Sequence, residues 1–306
     1  MRLAAVSVDL DEIHHYFEIH GLTPPGESGT LVYDVAMERL RGLAEAGRFP
    51  LTLFAIGQDL AREASRDRLS AAAEDGHEIA NHSLDHRYDL VRLGRDEIGR
   101  QIEEGASVIE AACGERPVGF RAPGYTITDE VFDVLSELGV RYDASVFPCP
   151  AYWMAKTAAI KLISLRGRKS RSIIDTANVL RAPTQPYRAG RPYWKRGRGI
   201  LEIPVQVTRG PRLPFIGTSV TLAGPDRARW LAKLCVGEPL VNLELHGIDV
   251  LDASDGLEAL RPHQPDVKVA HARKTEAILA ATEVLRKAGY TFVTMREAAA
   301  AFGAPA

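Results

Sequence analysis

The chain is poor in cysteine, and this scarcity bears on the compartment in which it works. Its three cysteines, Cys113, Cys149 and Cys235, are odd in number and far apart in the sequence. A disulfide framework is normally built from an even number of cysteines, and disulfides are rare in reducing compartments. The composition therefore argues against a disulfide-stabilised secreted protein and favours a reducing compartment.

Long apolar runs are missing too. No stretch approaches the roughly 20 consecutive apolar residues that a membrane-spanning helix requires. The first residues lead directly from Met1 into a strand-like run that ends at Asp9, so we expect no cleavable signal peptide. We therefore expect a cytoplasmic protein, with peripheral contact at the inner face of the membrane as an option.

An overall excess of one charge is also absent, since the formal net charge is −2. Such a balance argues against general nucleic-acid binding, which depends on clustered cations. Acids are nevertheless scarce in one region, because residues 156–198 hold twelve Lys or Arg and a single acid, Asp175. This local imbalance favours a partner that carries phosphate, or an anionic membrane face.

The basic region belongs to a segment, residues 152–199, that we interpret as an insertion in the surrounding fold. Two tryptophans, Trp153 and Trp194, lie within it. Four apolar residues recur at helical spacing, as in a helix that lies in a membrane interface; a solvated basic loop with a packed helix is the alternative. These four residues are Met154, Ala158, Leu162 and Leu165.

Short strand-like runs alternate with helical patterns along the chain, which predicts a parallel sheet or barrel of β-α units. A length of 306 residues allows two domains, although barrels of this size are often single domains. The predicted strands cover residues 3–8, 51–56, 78–81, 118–121, 141–146, 201–207, 240–246 and 291–294. The predicted helices cover residues 30–46, 95–113, 129–138 and 268–288.

Two acids, Asp9 and Asp11, follow the first predicted strand. Residues two apart on an extended chain point to the same side, so both carboxylates should face one site. Two close carboxylates repel each other unless a metal or another cation relieves the repulsion. By itself the pair is also compatible with two solvated loop acids.

His82 and His86 are four residues apart, so on a helical turn both rings can reach one ion. Asn81 or Ser83 can cap that turn. No His-Glu-x-x-His pattern is present, which excludes a zincin site. An Asp with two His is a common ligand set for a catalytic divalent metal such as Zn²⁺. A lone His pair, however, often lies on the surface without binding a metal.

Two further fragments supply candidate acid-base chemistry at predicted strand ends. Arg121 can pair with Asp9 and keep it charged, and the Pro-Gly turn at Gly124 exposes backbone N–H groups that can stabilise an oxyanion. His246 ends a late strand, where it can protonate a leaving amine. Glu244 shares the pleat face of His246 and is given no role beyond packing or positioning.

Taken together, these fragments resemble the polysaccharide deacetylases, the NodB-homology or carbohydrate esterase family 4 enzymes. Each of these sequence blocks is weak evidence by itself, but five of them occur in the same order as in the family. The tail 289–295 is also similar to the family's closing strand. The five blocks are Ser7–Asp11, His82–His86, Arg121–Tyr125, Tyr142–Ser145 and Leu243–His246.

The resemblance implies an α/β fold, a distorted (β/α)7-type barrel formed as one domain by residues 1–306 with the basic insertion. It also implies a metal-dependent hydrolase with one divalent ion, Zn²⁺ first and Co²⁺, Mn²⁺ or Ni²⁺ as alternatives. The implied roles are Asp9 as general base, Asp11, His82 and His86 as metal ligands, Arg121 as the partner of Asp9, Asp143 as a residue that tunes His246 or Arg121, His246 as general acid, and Gly124 or Tyr125 as oxyanion donor.

Two blocks depart from the family pattern. The first block has Leu10 between its acids, where the family has adjacent acids; the same spacing occurs in the lipid-linked aminoarabinose deformylases of this superfamily. The third block ends Pro-Gly-Tyr instead of Pro-Tyr-Gly, which leaves open whether the N–H of Gly124 or that of Tyr125 serves the oxyanion.

The predicted reaction is removal of an N-acyl group from an amino-sugar substrate, with N-acetyl as the leading candidate for that group. A cytoplasmic location would make that substrate a nucleotide-sugar, a small amidosugar or a lipid-linked saccharide. A deformylase or a hydrolase of another linear amide is the alternative on the same fold. A non-catalytic saccharide-binding barrel is the third hypothesis, against which the intact set of candidate residues argues.

Overall fold

A computed structural model describes residues 2–24 and 30–303 of the chain. Within these ranges strands alternate with helices, as the sequence predicts. The strands are β1 (Leu3–Asp9), β2 (Leu51–Ala55), β3 (Glu78–Asn81), β4 (Gly119–Phe120), β5 (Tyr142–Asp143), β6 (Tyr187–Ala189), β7 (Arg196–Glu202), β8 (Leu240–His246) and β9 (Thr291–Phe292). The α-helices are α1 (Ile13–Ile19), α2 (Met37–Gly47), α3 (Glu63–Glu74), α4 (Arg95–Cys113), α5 (Asp129–Glu137), α6 (Pro150–Leu165), α7 (Gly217–Cys235), α8 (His271–Lys287) and α9 (Met295–Gly303).

The strands form one curled sheet, a half-barrel. Seven strands pair in parallel in the order β7-β5-β4-β3-β2-β1-β8. Strand β6 adds an antiparallel edge beside β7, and β9 pairs with β1. Among the described residues no ladder joins β7 to β8, so the barrel is open. The predicted distorted α/β barrel is confirmed in this open form.

Strand β1 shows how the sequence builds this sheet. All seven of its residues are buried, as expected for a parallel strand covered on both faces. Val6 and Val8 pack in the large apolar cluster that includes helices α2 and α8, whereas Leu3 and Ala5 pack in a second cluster with Met295 of α9. Because side chains alternate along a strand, this second face continues into polar residues towards the end of β1.

The ends of four parallel strands converge on one place. In the register of β1, Asp9 lies beside Phe54 of β2 and beside His246 of β8. The N–H of His82 continues the ladder after β3 by donating to the Ala55 carbonyl at 2.8 Å. The N–H of Arg121 donates to the carbonyl of Asn81 at 3.0 Å. Parallel strands therefore place the polar residues that follow β1, β3, β4 and β8 at one edge, where α/β barrels carry their chemistry.

The fifth strand is shorter than the predicted 141–146, and the reason is a local polar contact. The N–H and the hydroxyl of Ser145 both donate to the carboxylate of Asp143, at 3.0 and 2.7 Å. A side chain thus takes a backbone donor that a longer strand would have used in its ladder.

The basic segment 152–199 is continuous with the sheet in its second half. That half supplies β6 and the first residues of β7, whereas the first half contains most of α6. The predicted strand at 201–207 accordingly begins earlier, at Arg196, because the chain forms a hairpin with β6 before it joins β5. No helix in residues 2–24 and 30–303 has both the length and the apolar character needed to cross a bilayer.

Candidate metal centre and acid-base site

Three side chains predicted as metal ligands lie together at the carboxyl edge of the sheet. Asp11 follows β1, and the histidines follow β3. The Nε2 atoms of His82 and His86 each lie 3.3 Å from an oxygen of the Asp11 carboxylate. All three residues are buried, and their candidate ligand atoms fall within 4.8 Å of one another. The geometry brings the three predicted ligands to one point.

The alternation of β1 extends past its end and explains how Asp11 reaches this point. Leu10 is fully buried in the apolar cluster on the outer face of the sheet, and its N–H still bonds to the Phe54 carbonyl at 3.1 Å. Asp9 and Asp11 therefore face the opposite side together, with His82 Nε2 lying 3.8 Å from an oxygen of Asp9. The residue between the two acids keeps them on one face, so the departure from adjacent acids does not separate them.

The two histidines are carried by an irregular loop, and the prediction of a helical turn is wrong. Ser83 and His86 have positive φ angles of 72° and 49°, which no right-handed helical turn contains. Two side chains fix the loop instead. The Asn81 Oδ1 atom accepts the N–H of Ser83 at 2.9 Å, and the Ser83 hydroxyl accepts the N–H of His86 at 3.1 Å. The two residues expected to cap a helical turn thus stabilise a tighter turn with left-handed residues.

The donor set fits a divalent metal. His82 Nδ1 bonds to the Arg121 carbonyl at 2.7 Å, which orients Nε2 towards Asp11 as in ligating histidines. Both ring nitrogens of His86 and Oδ1 of Asp11 are buried and have no hydrogen-bond partner among the described residues. Buried polar atoms rarely remain without partners. One carboxylate and two imidazoles are a set that Zn²⁺ accepts.

The charge states also suit ligation. Burial works against the charged form of Asp11, yet the neighbouring His86 and His82 hold the pKa of this carboxyl well below its usual range. Burial lowers the pKa of His86 to about 3. At neutral pH the Asp11 carboxylate and a neutral His86 are thus available, and these are the forms that bind metals. Burial disfavours the charged form of His82, but Asp9 and Asp11 raise its pKa, so a metal that binds there would displace a proton.

Arg121 pairs with Asp9, as the sequence predicts. Its guanidinium is fully buried and bonds to Asp9 through Nη1, to the Ser7 hydroxyl at 2.9 Å and to the Ala144 carbonyl at 3.0 Å. It also lies over the ring of Phe54, 4.0 Å from the centroid. These contacts leave the second carboxylate oxygen of Asp9 directed at His82 and His246.

His246 lies beside Asp9 and has an acidic neighbour of its own. Its Nε2 atom is 4.0 Å from Asp9 and 3.3 Å from the hydroxyl of Tyr125. Its Nδ1 atom lies 3.0 Å from Glu244. Burial disfavours the imidazolium, but the Glu244 carboxylate outweighs this effect and raises the pKa of His246 well above its ordinary value. Glu244, to which the sequence gave no chemical role, is therefore the neighbour that raises the pKa of His246 most.

Asp143 does not contact His246, contrary to one of its two predicted roles. It accepts two hydrogen bonds from Ser145 and faces the buried carboxyl of Glu202. Burial raises the pKa of both carboxyls; Asp143 raises that of Glu202 further, whereas the hydrogen bond with Glu202 lowers that of Asp143. The charge of Arg121 still acts on Asp143. The sequence could not separate Asp143 from Glu244 because both follow the same rule of a polar residue near a strand end.

The turn at Gly124 and Tyr125 contacts the site from above β4. The N–H of Tyr125 already donates to the Ala122 carbonyl at 3.1 Å, so this residue reaches the site through its hydroxyl. The Gly124 carbonyl accepts a hydrogen bond from Lys156 Nζ at 2.8 Å. Burial lowers the pKa of Lys156 to about 8. The sequence grouped Lys156 with eleven other cations of the basic segment, and nothing in its spacing marked it as different.

A second trio, Asp9, Glu244 and His246, also has donor atoms within 4.8 Å of one another. Its charges are already compensated inside the protein, because Arg121 pairs with Asp9 and His246 faces Glu244. Among the described residues no Arg or Lys pairs with Asp11, which makes Asp11, His82 and His86 the better candidate for the metal.

Comparison with known proteins extends these observations. A family model for polysaccharide deacetylase matches residues 33–142. A peptidoglycan deacetylase of Helicobacter pylori is 22% identical over 147 residues, which are 47% of this chain and 49% of that protein. A chitooligosaccharide deacetylase of Sinorhizobium fredii is 35% identical over 97 residues, 30% of this chain and 42% of that protein. The chain thus matches less than half the length of either relative.

Solved structures share the fold over nearly the whole chain. A Mycobacterium smegmatis protein described as a polysaccharide deacetylase superposes with a TM-score of 0.53 at 19% identity, covering 95% of this chain and 92% of that one. A carbohydrate esterase family 4 pseudoenzyme of Bacillus anthracis gives 0.52 at 12% identity, covering 97% and 65%. These likenesses concern the fold alone. The family model over residues 33–142 and the curated relatives show that this part of the chain is similar to polysaccharide deacetylases.

Proposed function

We propose that this protein is a metal-dependent hydrolase that removes an N-acetyl group from an amino-sugar substrate. The proposal rests on one observation: Asp11, His82 and His86 are buried and lie together. Next to them lie Asp9, which is paired with Arg121, and His246, whose pKa is raised. The curated relatives are named as deacetylases of peptidoglycan and of chitooligosaccharide, which supports the reaction class.

A divalent ion held by Asp11, His82 and His86 would supply Lewis-acid polarisation of the amide carbonyl and activation of water. Zn²⁺ is our first choice, with Co²⁺, Mn²⁺ and Ni²⁺ as alternatives for this mixed oxygen and nitrogen set. The hydrogen bond between His82 Nδ1 and the Arg121 carbonyl fixes the orientation of this ligand.

The acid-base steps fall to side chains outside the ligand trio. Asp9, held by Arg121, accepts the proton of the attacking water through its second oxygen. His246, held in its charged form by Glu244, donates a proton to the departing amine. The N–H of Gly124 is the proposed oxyanion donor, because that of Tyr125 is engaged within its own turn. Each acid-base step contributes about 10²–10⁴-fold to the rate.

An anionic substituent on the substrate is supported by a cavity of about 600 Å³ next to the ligand trio. His86 lines this cavity together with four cations, Arg87, Arg92, Lys169 and Arg171, and three acids, Glu18, Asp85 and Asp89. Arg87 is paired with Asp89, and Asp85 lies 3.9 Å from Arg100. Arg171 is paired with Glu18 at 3.0 Å, whereas Arg92 and Lys169 form no ion pair within the described ranges. We therefore keep a phosphate-bearing or lipid-linked saccharide, met in the cytoplasm or at the inner membrane face, as the proposed substrate.

The test is hydrolysis by the purified protein loaded with Zn²⁺. Cell extract is incubated with wild type and with Asp9→Asn, and mass spectrometry searches for species that exchange an acetyl group for hydrogen. Loss of formyl in place of acetyl would favour the deformylase alternative. No wild-type-specific product, in extract or with acetylated chitooligosaccharides, would favour a binding barrel, since a pseudoenzyme shares this fold.

A further inference from the structure

Helix α6 exposes an apolar face that no other part of the described chain covers. The helix has no buried residue, although its sequence is mostly apolar. Five large hydrophobic side chains are exposed among the described residues, and three of them lie here: Met154 at 59%, Leu162 at 48% and Leu165 at 76%. At 3.6 residues per turn they fall on one side of the helix together with exposed alanines. This apolar face consists of Ala151, Met154, Ala155, Ala158, Ala159, Leu162 and Leu165.

The opposite side of α6 is anchored to the protein, which fixes the direction of the apolar face. The ring of Tyr152 lies 4.6 Å from that of Phe147, and the indole N–H of Trp153 donates to the Asp175 carbonyl at 3.0 Å. Trp153 and Trp194, which the sequence associated with a membrane contact, both pack against a buried apolar cluster. Any contact made by this helix must therefore use its Met and Leu side chains.

The chain that follows the apolar face is basic. Arg166, Arg168 and Lys169 are exposed, as is Lys161 at the edge of the face. In the part of the chain that the structure describes, none of these four lies within 4.0 Å of a carboxylate oxygen. The one acid of the region, Asp175, is turned inward and accepts a bond from the Tyr193 hydroxyl at 2.9 Å. Exposed like charges do not stabilise a fold, so this arrangement is suited to an anionic partner.

We propose that the apolar face of α6 and these four cations form a docking surface for an anionic lipid bilayer. An interfacial helix combines apolar residues that enter the headgroup region with flanking Lys and Arg, and each cation is attracted by anionic lipid. A second copy of the chain is a poorer occupant, because symmetric contact through the same patch brings like charges together.

The docking surface adjoins the candidate site. Lys169 and Arg171, which follow α6, line the same cavity as His86. A saccharide attached to a lipid in the bilayer would thus be held close to the ligand trio. This last step rests on the proposed function, whereas bilayer binding itself does not.

The experiment is co-sedimentation of the full chain with phosphatidylcholine vesicles, with and without phosphatidylglycerol, at low and high salt. The apolar contribution is tested with the double variant Leu162→Gln and Leu165→Gln, and the charge contribution with Lys161→Gln and Arg166→Gln. Leu222→Gln is the matched control for the first pair, because Leu222 is 46% exposed on α7. Arg227→Gln with Lys233→Gln, exposed cations of the same helix, is the control for the second.

We expect wild type to bind only the anionic vesicles and to lose binding as salt rises, since screening at about 0.15 M reduces the Debye length to about 8 Å. Each α6 variant should weaken binding by about tenfold or more, with unchanged melting temperature and unchanged hydrolysis of a soluble substrate. The controls should bind like wild type. Indifference to lipid charge, wild-type binding by the Leu variant, or self-association abolished by that variant would overturn the proposal. Binding by a protein without hydrolytic activity would leave docking intact and reject only the proposed function.

Discussion

Two aspartates separated by one residue are given different chemistry by their neighbours. Asp9 is paired with the buried Arg121, and Asp11 faces two histidines. A carboxylate held by a guanidinium is a poor metal ligand but a well-positioned base, whereas Asp11 has no cation except the imidazoles. The division of roles that we propose for the two acids thus follows from which partner each one meets.

We predict that Asp9→Asn keeps its metal and loses nearly all hydrolysis. The amide retains the size of the side chain but cannot accept a proton, so kcat should fall by about 10²–10⁴-fold. Metal content by atomic spectroscopy and turnover with the same substrate are the two measurements. Wild-type turnover, or loss of the metal, would mean that the roles of Asp9 and Asp11 are misassigned.

We predict that Glu244→Gln shifts the pH profile. Glu244 raises the pKa of His246, so His246 stays protonated, and active as an acid, to a higher pH than an ordinary histidine. Without this carboxylate the pKa falls, and the alkaline limb of kcat/KM should move to lower pH while the acid limb stays in place.

The conservative variant Glu244→Asp is the control for this profile, because it keeps the charge and should keep most of the shift. A purely structural role of Glu244 would lower activity at every pH without moving the limb.

At the scale of elements, the loop after β3 depends on a close approach by helix α4. A Cβ added at Gly105 would lie 2.8 Å from Asn81 Oδ1 and 2.9 Å from the backbone of Ser83. Such distances are too short for a methyl group, so α4 and the loop that carries His82 and His86 fit only with glycine at this position.

We predict that Gly105→Ala displaces the loop and weakens metal binding. Gly99→Ala on the same helix is the matched control, because the nearest atom to its added Cβ lies at 3.9 Å. The control should be neutral or stabilising by about 0.5–1 kcal/mol, as for alanine in a helix interior. Isothermal titration with Zn²⁺ and thermal unfolding compare the two variants, and equal metal affinity would contradict this view of the loop.

At the scale of the whole molecule, the candidate ligands connect distant parts of the chain. Asp11 follows β1, and the histidines follow β3, about seventy residues later. Because this geometry exists only in the folded state, an ion that binds there stabilises folding by linkage, about 2.7 kcal/mol at a hundred times its dissociation constant.

We predict that Zn²⁺ raises the melting temperature of wild type and that a chelator reverses the increase. His82→Ala, which removes one ligand, should bind the ion weakly and show little change in melting temperature. Equal, stoichiometric metal and equal stabilisation in both proteins would place the metal elsewhere.

The sequence by itself determined the class of fold and which residues form most of the candidate site. Alternating strand and helix patterns predicted the parallel sheet, and β3, α4 and β8 have the predicted bounds. Period-two alternation placed Asp9 and Asp11 on one face, and the family resemblance identified the residues that meet there. These features depend on local periodicity and on residue type, which a sequence contains directly.

Only the tertiary structure decided the partners of those residues. The left-handed turn at His82–His86 arises from bonds to Asn81 and Ser83 side chains, which no helical spacing reveals. Glu244, rather than Asp143, raises the pKa of His246 because β8 places the two on one pleat face, while Ser145 and Glu202 engage Asp143. Lys156 was separated from the other cations of its segment by the packing of α6 against Gly124. These contacts join segments that are remote in sequence, so they exist only once the sheet has formed.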